Sequence, residues 1–194
     1  MTSQSEQGRP RDTAIDARIL AAAKRQLAEL GYEGMSLATV AQEAGTTRQA
    51  LYRRWSTKAE LAGAAVGALD ELTESPIGDR EPFDALVAEL ADFEHGVSRP
   101  GRLSLVGTML QETTEAEVLR RYRARVVHPR RRRLADIFQA AQQRGQLDQD
   151  ADLTVALTMC TGSWYGRALA GDPVPADWPT RTATLIWRAL GGTR

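Results

Sequence analysis

One short stretch of the sequence, GTTRQALYRRWSTKAEL at residues 45–61, carries four cationic side chains. Arginine and lysine neutralise phosphate groups, and arginine and glutamine also form paired hydrogen bonds with base edges in the major groove of DNA. Leu51 and Trp55 lie four residues apart, which predicts a buried helix face and leaves Gln49 and Arg53 on the opposite face. The stretch therefore predicts a short helix that reads DNA.

The helices around this stretch are predicted from capping residues and helical spacing. A first helix ends at Gly31, and Ser36 can cap a second, short helix that ends at Gly45. The third helix starts at Thr46 or Thr47, directly after the glycine, and the sequence TKAE then forms a capping box for a fourth, long helix. A short capped helix, a glycine turn and a short basic helix are typical of a helix-turn-helix, here over residues 36–55.

The same region resembles a known family. The segments AELGYEGM and SLATVAQEAGTTRQALYRRWSTKAELAGAAV, within residues 13–70, are similar to the N-terminal domain of the tetracycline-repressor (TetR) family of bacterial regulators. The resemblance implies an all-helical homodimer that binds a palindromic operator, usually to repress transcription until a small ligand enters the C-terminal domain. It further implies base contacts from residues 47–50, and phosphate contacts from the residues that follow. The expected DNA-binding residues are Ser36, Thr46, Thr47, Arg48, Gln49, Ala50, Tyr52, Arg53, Arg54 and Lys58.

The domain organisation follows from the polar, proline-containing segment TESPIGDREP at 73–82, which predicts a linker. We expect a DNA-binding domain over 12–72 and a ligand-binding and dimerisation domain over 83–194. Residues 1–11 are predicted to be a disordered tail, although Arg9 and Arg11 offer the alternative of a basic arm in the minor groove.

The second half of the chain is also predicted to be helical, which makes the fold class all-α with about nine helices. A long helix over 115–144 must be kinked or divided by Pro129, because proline has no backbone N–H. By analogy with the family, helices at about 152–170 and 180–190 would pair with their counterparts in a homodimer. Their apolar residues could instead fill the core of one chain, and the sequence does not separate these alternatives.

A small-molecule pocket is expected among the helices of residues 83–170. Methionine and aromatic residues at helical spacing are first of all packing material, so each candidate could equally be plain core. The candidate lining residues are Phe93, Met109, Tyr122, Phe138, Met159 and Trp164.

The segment RRYRARVVHPRRRR at 120–133 holds eight arginines. It could form an anion site or an additional nucleic-acid contact. The interpretation favoured by the sequence is a solvated helix face, with ion pairs such as Glu117 to Arg121 and Asp136 to Arg132.

Composition excludes several classes of function. The 194 residues carry no formal net charge, so only local basic segments can attract nucleic acid. Two histidines and one cysteine give no metal-ligand spacing and no nucleophile arrangement, so we expect no metal site, no catalytic residue and no cofactor. A helical enzyme is therefore disfavoured, and a DNA-binding regulator without a ligand is the nearer alternative.

The longest apolar run, LAGAAVGAL at 61–69, is too short to span a membrane, and the polar N-terminal segment lacks the hydrophobic region of a secretory signal. We therefore expect a cytoplasmic protein without a membrane partner.

Overall fold

The computed structural model describes residues 13–67, 78–99, 101–111 and 116–193, and every regular element in these ranges is a helix. Residues 116–143 form one continuous helix that includes a π-helical segment. Counted in this way, the described residues form nine helices, which confirms the predicted all-α fold. No helix within these ranges combines the length and the apolar composition needed to cross a bilayer. The elements are α1 Thr13–Gly34, α2 Leu37–Glu43, α3 Arg48–Tyr52, α4 Lys58–Gly67, α5 Pro82–Val97, α6 Arg102–Gln111, α7 Ala116–Tyr122, a π-helical segment Arg123–Val127, α8 His128–Gln143, α9 Leu153–Ala170 and α10 Trp178–Ala189.

The chain divides into two compact units. Of the described residues, the first contains 13–67, 104–111 and 116–121, and the second contains 78–99, 101–103 and 122–193. The predicted division in chain order, 12–72 and 83–194, differs from this grouping in residues 104–121. These residues join the first unit because Thr108 Oγ1 donates a 3.2 Å hydrogen bond to the Leu27 carbonyl and Arg121 packs over Gly63. The predicted tail at 1–11 and the first half of the predicted linker, residues 73–77, lie outside the described residues.

The first unit is built around α1, which packs on α2 and α4. Ile19, Ala23 and Leu27 recur at helical spacing on α1 and are completely buried, as their periodicity predicts. At Gly31 the backbone leaves the helical conformation with φ of 73°, which is where the sequence predicted the helix to stop. Burial of a leucine or isoleucine contributes about 1.5–3 kcal/mol, so Ile19 and Leu27 each stabilise the packing of α1 by an amount of this order.

The second unit is a bundle of α5, α8, α9 and α10. Its core includes Leu86 and Leu90 from α5, together with Ile137 and Phe138 from α8, all completely buried. Aromatic side chains also pack in this core. The rings of Phe83 and Trp187 meet edge to face, with their centroids 5.3 Å apart.

The long helix over 116–143 changes its winding immediately before Pro129. The backbone N–H of His128 donates to the carbonyl of Arg123, five residues earlier, which is the hydrogen bond of a π-helix. Because Pro129 can neither donate this bond nor tolerate the usual carbonyl beneath its ring, the wider turn lets the helix continue past it. Glu117 forms the predicted ion pair with Arg121 at 2.6 Å, whereas no ion pair among the described residues joins Asp136 to Arg132.

Candidate nucleic-acid interface

A glycine turn joins the two short helices of the first unit. Gly45 follows the end of α2 with φ of 64°, a left-handed conformation that other residues rarely adopt. Its N–H donates to the Gln42 carbonyl at 3.1 Å, and the N–H of Thr46 donates to the Ala41 carbonyl at 2.9 Å. These two bonds close the end of α2 and redirect the chain into α3 within two residues.

One buried glutamine of α1 fixes both ends of α2. The Gln26 side chain is 2% exposed, and its Oε1 accepts a 3.0 Å hydrogen bond from the backbone N–H of Ser36, the cap of α2. Its Nε2 donates at 3.0 Å to Glu43, the last residue of α2, and Arg25 forms an ion pair with the same carboxylate. Hydrogen bonds from Arg25 and Gln26 lower the pKa of Glu43. Gln26 is not among the residues predicted from the sequence, although it continues the buried helical spacing of Ile19 and Ala23.

The orientation of α3 is set by one cap and one buried leucine. Thr47 caps the helix, and its Oγ1 accepts a 3.1 Å hydrogen bond from the N–H of Ala50. Leu51 is completely buried against the first unit, whereas its neighbour Tyr52 is 43% exposed. The opposite, solvent-facing side carries the exposed residues Thr47, Arg48, Gln49, Tyr52 and Arg53, while Thr46 and Ala50 are half-buried beside it.

The four cations of this region fall into two pairs. Arg54 turns inward, with Nη1 donating to the Ala50 carbonyl at 2.9 Å and Nε bound to the carboxylate of Asp16 on α1. Lys58 Nζ donates to the Glu33 carbonyl at 3.0 Å and lies 4.7 Å from the centre of the Tyr32 ring. Both side chains therefore join their helices to α1.

Arg48 and Arg53 have different surroundings. Both are exposed, and within the described ranges no carboxylate lies within 4 Å of either guanidinium. Two uncompensated arginines on the outer face of a rigidly held short helix form a local positive surface that can bind phosphate or base edges.

The start of α4 is closed by the predicted capping box. Thr57 Oγ1 accepts from the N–H of Glu60 at 3.0 Å, and the Glu60 carboxylate accepts from the backbone N–H of Ser56 at 2.8 Å. The hydrogen bonds from Ser56 lower the pKa of Glu60. The capping box fixes the first turn of α4, from which the Lys58 side chain projects.

The residues proposed to line a ligand pocket do not form one group. Phe93 and Trp164 meet in the core of the second unit, with ring centroids 6.1 Å apart, and Phe138 and Tyr122 are buried in the same unit. Met109 is 1% exposed but belongs to the first unit. Met159 is 45% exposed and lines an open groove of about 230 Å³ between α9 and α10.

The described residues contain no group of three histidine, cysteine, aspartate or glutamate side chains that could hold a metal ion. Burial raises the pKa of the Cys160 thiol to about 12, which keeps it protonated at neutral pH. In the first unit, the strongest candidate site is the positive surface of α3 formed by Arg48 and Arg53.

Comparisons with known proteins show which proteins the chain is similar to. A family model described as "Tetracyclin repressor-like, C-terminal domain" matches residues 80–186, and one described as "Bacterial regulatory proteins, tetR family" matches residues 19–65. The chain is 28% identical over 199 residues to the uncharacterized HTH-type transcriptional regulator YdeS of Bacillus subtilis (strain 168), covering 98% of this chain and 96% of YdeS.

Solved structures show the same fold at lower identity. MexZ, described as a key repressor responsible for antibiotic resistance in Pseudomonas aeruginosa, superposes with a TM-score of 0.72 at 21% identity, covering 93% of this chain and 94% of MexZ. A TetR family transcription regulator from Marinobacter aquaeolei VT8 gives a TM-score of 0.68 at 20% identity, covering 95% and 98% of the two chains.

Proposed function

The chain belongs to the tetracycline-repressor (TetR) family of bacterial regulatory proteins, which are DNA-binding transcriptional regulators, and we propose that it is a ligand-released repressor. In this proposal a homodimer binds a palindromic operator and leaves it when a small molecule binds the second unit. Such a regulator acts on the chromosome, in the cytoplasm. The observation that carries the proposal is the outer face of α3, where Arg48 and Arg53 have no acidic partner among the described residues.

The side chains of this face divide by the chemistry they offer to DNA. Arg48 and Gln49 lie in the first turn of α3, and both residue types form bidentate hydrogen bonds with purines in the major groove. Tyr52 and Arg53 follow at the end of the helix and suit phosphate contacts, which fix register. Thr47 is the N-cap residue of α3.

The residues that flank this face have supporting roles in the proposal. Ser36 presents the start of α2 to the DNA backbone, and Thr46 and Ala50 lie half-buried at the edge of the surface. Arg54 holds α3 against α1 instead of binding phosphate, because its Nε and Nη1 are already used within the protein. Lys58 orders the start of α4 through Glu33 and keeps two of its ammonium hydrogens for phosphate.

Apolar side chains on α9 and α10 support the homodimer. Val155 and Met159 on α9 are 54% and 45% exposed, and Leu185 on α10 is 67% exposed. Ala189 is also exposed, and it lines the groove between these helices. Apolar residues exposed on two adjacent helices favour burial against a second copy of the chain. The proposed dimer interface is therefore formed by residues 152–170 and 180–190. A dimer would present two α3 helices to half-sites about one turn of DNA apart.

The test is binding to the DNA immediately upstream of the gene and its neighbours, measured by fluorescence anisotropy at two salt concentrations with unrelated duplex as competitor. We expect binding that resists the competitor. Arg48→Ala combined with Gln49→Ala should weaken it by roughly thirtyfold to ten-thousandfold, because two bidentate base contacts of about 1–3 kcal/mol each are lost.

The matched control is Arg132→Ala combined with Gln139→Ala, which removes the same two side-chain types from exposed positions on α8. It should bind operator DNA as the parent does. Equal operator affinity of the parent and the Arg48/Gln49 variant would contradict the assignment of α3.

A further inference from the structure

Three buried N–H groups in the second unit have no hydrogen-bond acceptor among the residues that the structure describes. Among the described residues, four buried side-chain N or O atoms have no partner, and three of them are donors: Arg130 Nη1, Trp164 Nε1 and Trp178 Nε1. Trp164 and Trp178 are 6% and 3% exposed, and the Arg130 side chain is 13% exposed. A buried donor without an acceptor loses its hydrogen bonds to water on folding, so proteins seldom retain several of them close together.

All three donors belong to side chains that surround one ring, Phe93 of α5. The Phe93 centroid lies 5.3 Å from the Arg130 guanidinium, 6.1 Å from the Trp164 ring and 6.0 Å from the Trp178 ring. Tyr165 completes the cluster at 5.5 Å, and burial raises the pKa of its hydroxyl. An aromatic face accepts N–H groups only weakly, so the Phe93 ring does not replace a full acceptor.

The two arginines beside this cluster, Arg130 and Arg133, share their acidic partners unequally. Glu89 is 3% exposed, and both of its oxygens accept from Arg133, at 2.9 and 2.8 Å. Arg130 reaches the same carboxylate only at 3.5 Å, and its other acid, Asp92, is about half exposed at 3.1 Å. Glu89 therefore pairs mainly with Arg133, and Arg130 relies on the half-exposed Asp92, which leaves its Nη1 without an acceptor among the described residues.

We propose that the second unit binds a small organic acid with an aromatic body at the cluster around Phe93. Its carboxylate accepts from Arg130 Nη1 and from the indole N–H groups of Trp164 and Trp178, and its ring packs among the aromatic side chains. The carboxylate supplies the acceptors that the three donors lack, and its negative charge strengthens the hydrogen bond from Arg130. The inference rests on the proposed function, since it gives the chemical class of the ligand that releases the repressor.

The experiment titrates the full chain, without DNA, with benzoate, 4-hydroxybenzoate, phenylacetate and cinnamate. The matched neutral probes are the four corresponding amides. Binding is measured by isothermal titration calorimetry, and quenching of indole fluorescence locates the ligand beside Trp164 and Trp178. We expect at least one acid to bind with Kd below about 1 mM and its amide to bind at least about tenfold more weakly.

Three variants and one control connect binding to these residues. Arg130→Gln should weaken binding of the acid by roughly tenfold to a hundredfold, the usual effect of losing a charged hydrogen bond. Trp164→Phe and Trp178→Phe keep an aromatic ring and remove one donor each, so each should weaken binding by roughly twofold to tenfold. If Arg130→Gln does not fold, the two tryptophan variants still test the inference. Arg132→Gln, two residues along on the exposed side of α8, should bind the acid as the parent does.

Binding of none of the four acids would overturn the inference, as would equal binding of an acid and its amide. Equal affinities of the Arg130→Gln and Arg132→Gln variants would also overturn it. Operator binding is measured separately. Specific DNA binding without acid binding contradicts this inference alone, whereas acid binding without operator binding supports it and contradicts the proposed function.

Discussion

Arg53 and Arg54 are neighbours in the sequence, but their guanidinium groups lie in different surroundings. Arg53 is exposed on the outer face of α3, while the Arg54 side chain is 15% exposed and bound to Asp16. An exposed arginine and an arginine held in an ion pair therefore follow one another along the chain. At the scale of single residues, this difference separates the proposed phosphate contact of Arg53 from the structural role of Arg54.

Separate alanine substitutions should distinguish the two roles. Arg53→Ala should weaken binding to all DNA sequences and lower the slope of log affinity against log salt by about 1, because one phosphate contact is lost. Its unfolding free energy should remain within about 0.5 kcal/mol of the parent value. Arg54→Ala should lower that free energy by about 1–2 kcal/mol, because Asp16 and the Ala50 carbonyl lose their donor. Urea unfolding and anisotropy measure both effects, and a reversed pattern would show that the roles have been exchanged.

Glu43 should make the first unit sensitive to acid. Its pKa is lowered in the folded state, so its contribution to stability is present above its ordinary pKa of 4.5 and is lost as the pH falls through the lower folded value. Glu43→Gln should therefore be less stable than the parent at pH 7, and the difference should shrink towards pH 3. Thermal unfolding across this range measures it, with Glu29→Gln on the exposed side of α1 as the control for losing one carboxylate. A difference that stays constant with pH would exclude this role for Glu43.

At the scale of secondary-structure elements, the turn between α2 and α3 depends on one glycine. Gly45 has φ of 64°, and a Cβ built there meets no atom within 4 Å, so any cost of substitution comes from the backbone conformation alone. The helices on either side are short, and a small change in this turn would redirect the outer face of α3.

Gly45→Ala should lower the unfolding free energy by about 1–2 kcal/mol, the cost of placing a residue with a side chain in the left-handed conformation. Gly96→Ala is the matched control, because Gly96 lies inside α5 in an ordinary helical conformation with open space around it. This control should raise the unfolding free energy by about 0.5–1 kcal/mol. Both values follow from urea unfolding, and a loss of stability in the Gly96 variant would mean that backbone conformation does not explain the difference.

At the scale of the whole molecule, the exposed apolar residues of α9 and α10 predict the state of assembly. Met159→Asp combined with Leu185→Asp places two charges in the proposed interface and should convert dimer to monomer at micromolar concentration, as measured by sedimentation equilibrium. Operator affinity should fall with it, because two linked α3 helices bind more tightly than one. Leu110→Asp is the control, since Leu110 is 82% exposed on α6, outside the proposed interface. A parent protein that sediments with the mass of one chain would contradict the dimer.

The sequence alone predicted the all-α fold and the helix-turn-helix because their signals are local. Caps such as Ser36 and Thr47, the glycine turn and the spacing of buried residues each act within a few residues of the chain. The tertiary structure alone decided which cations are engaged within the protein, because Asp16 lies 38 residues from Arg54 and Glu33 lies 25 residues from Lys58. It also decided which unit holds residues 104–121, and it placed the buried donors around Phe93. Contacts between distant parts of a chain leave no periodic signal in the sequence, so only the packed helices reveal them.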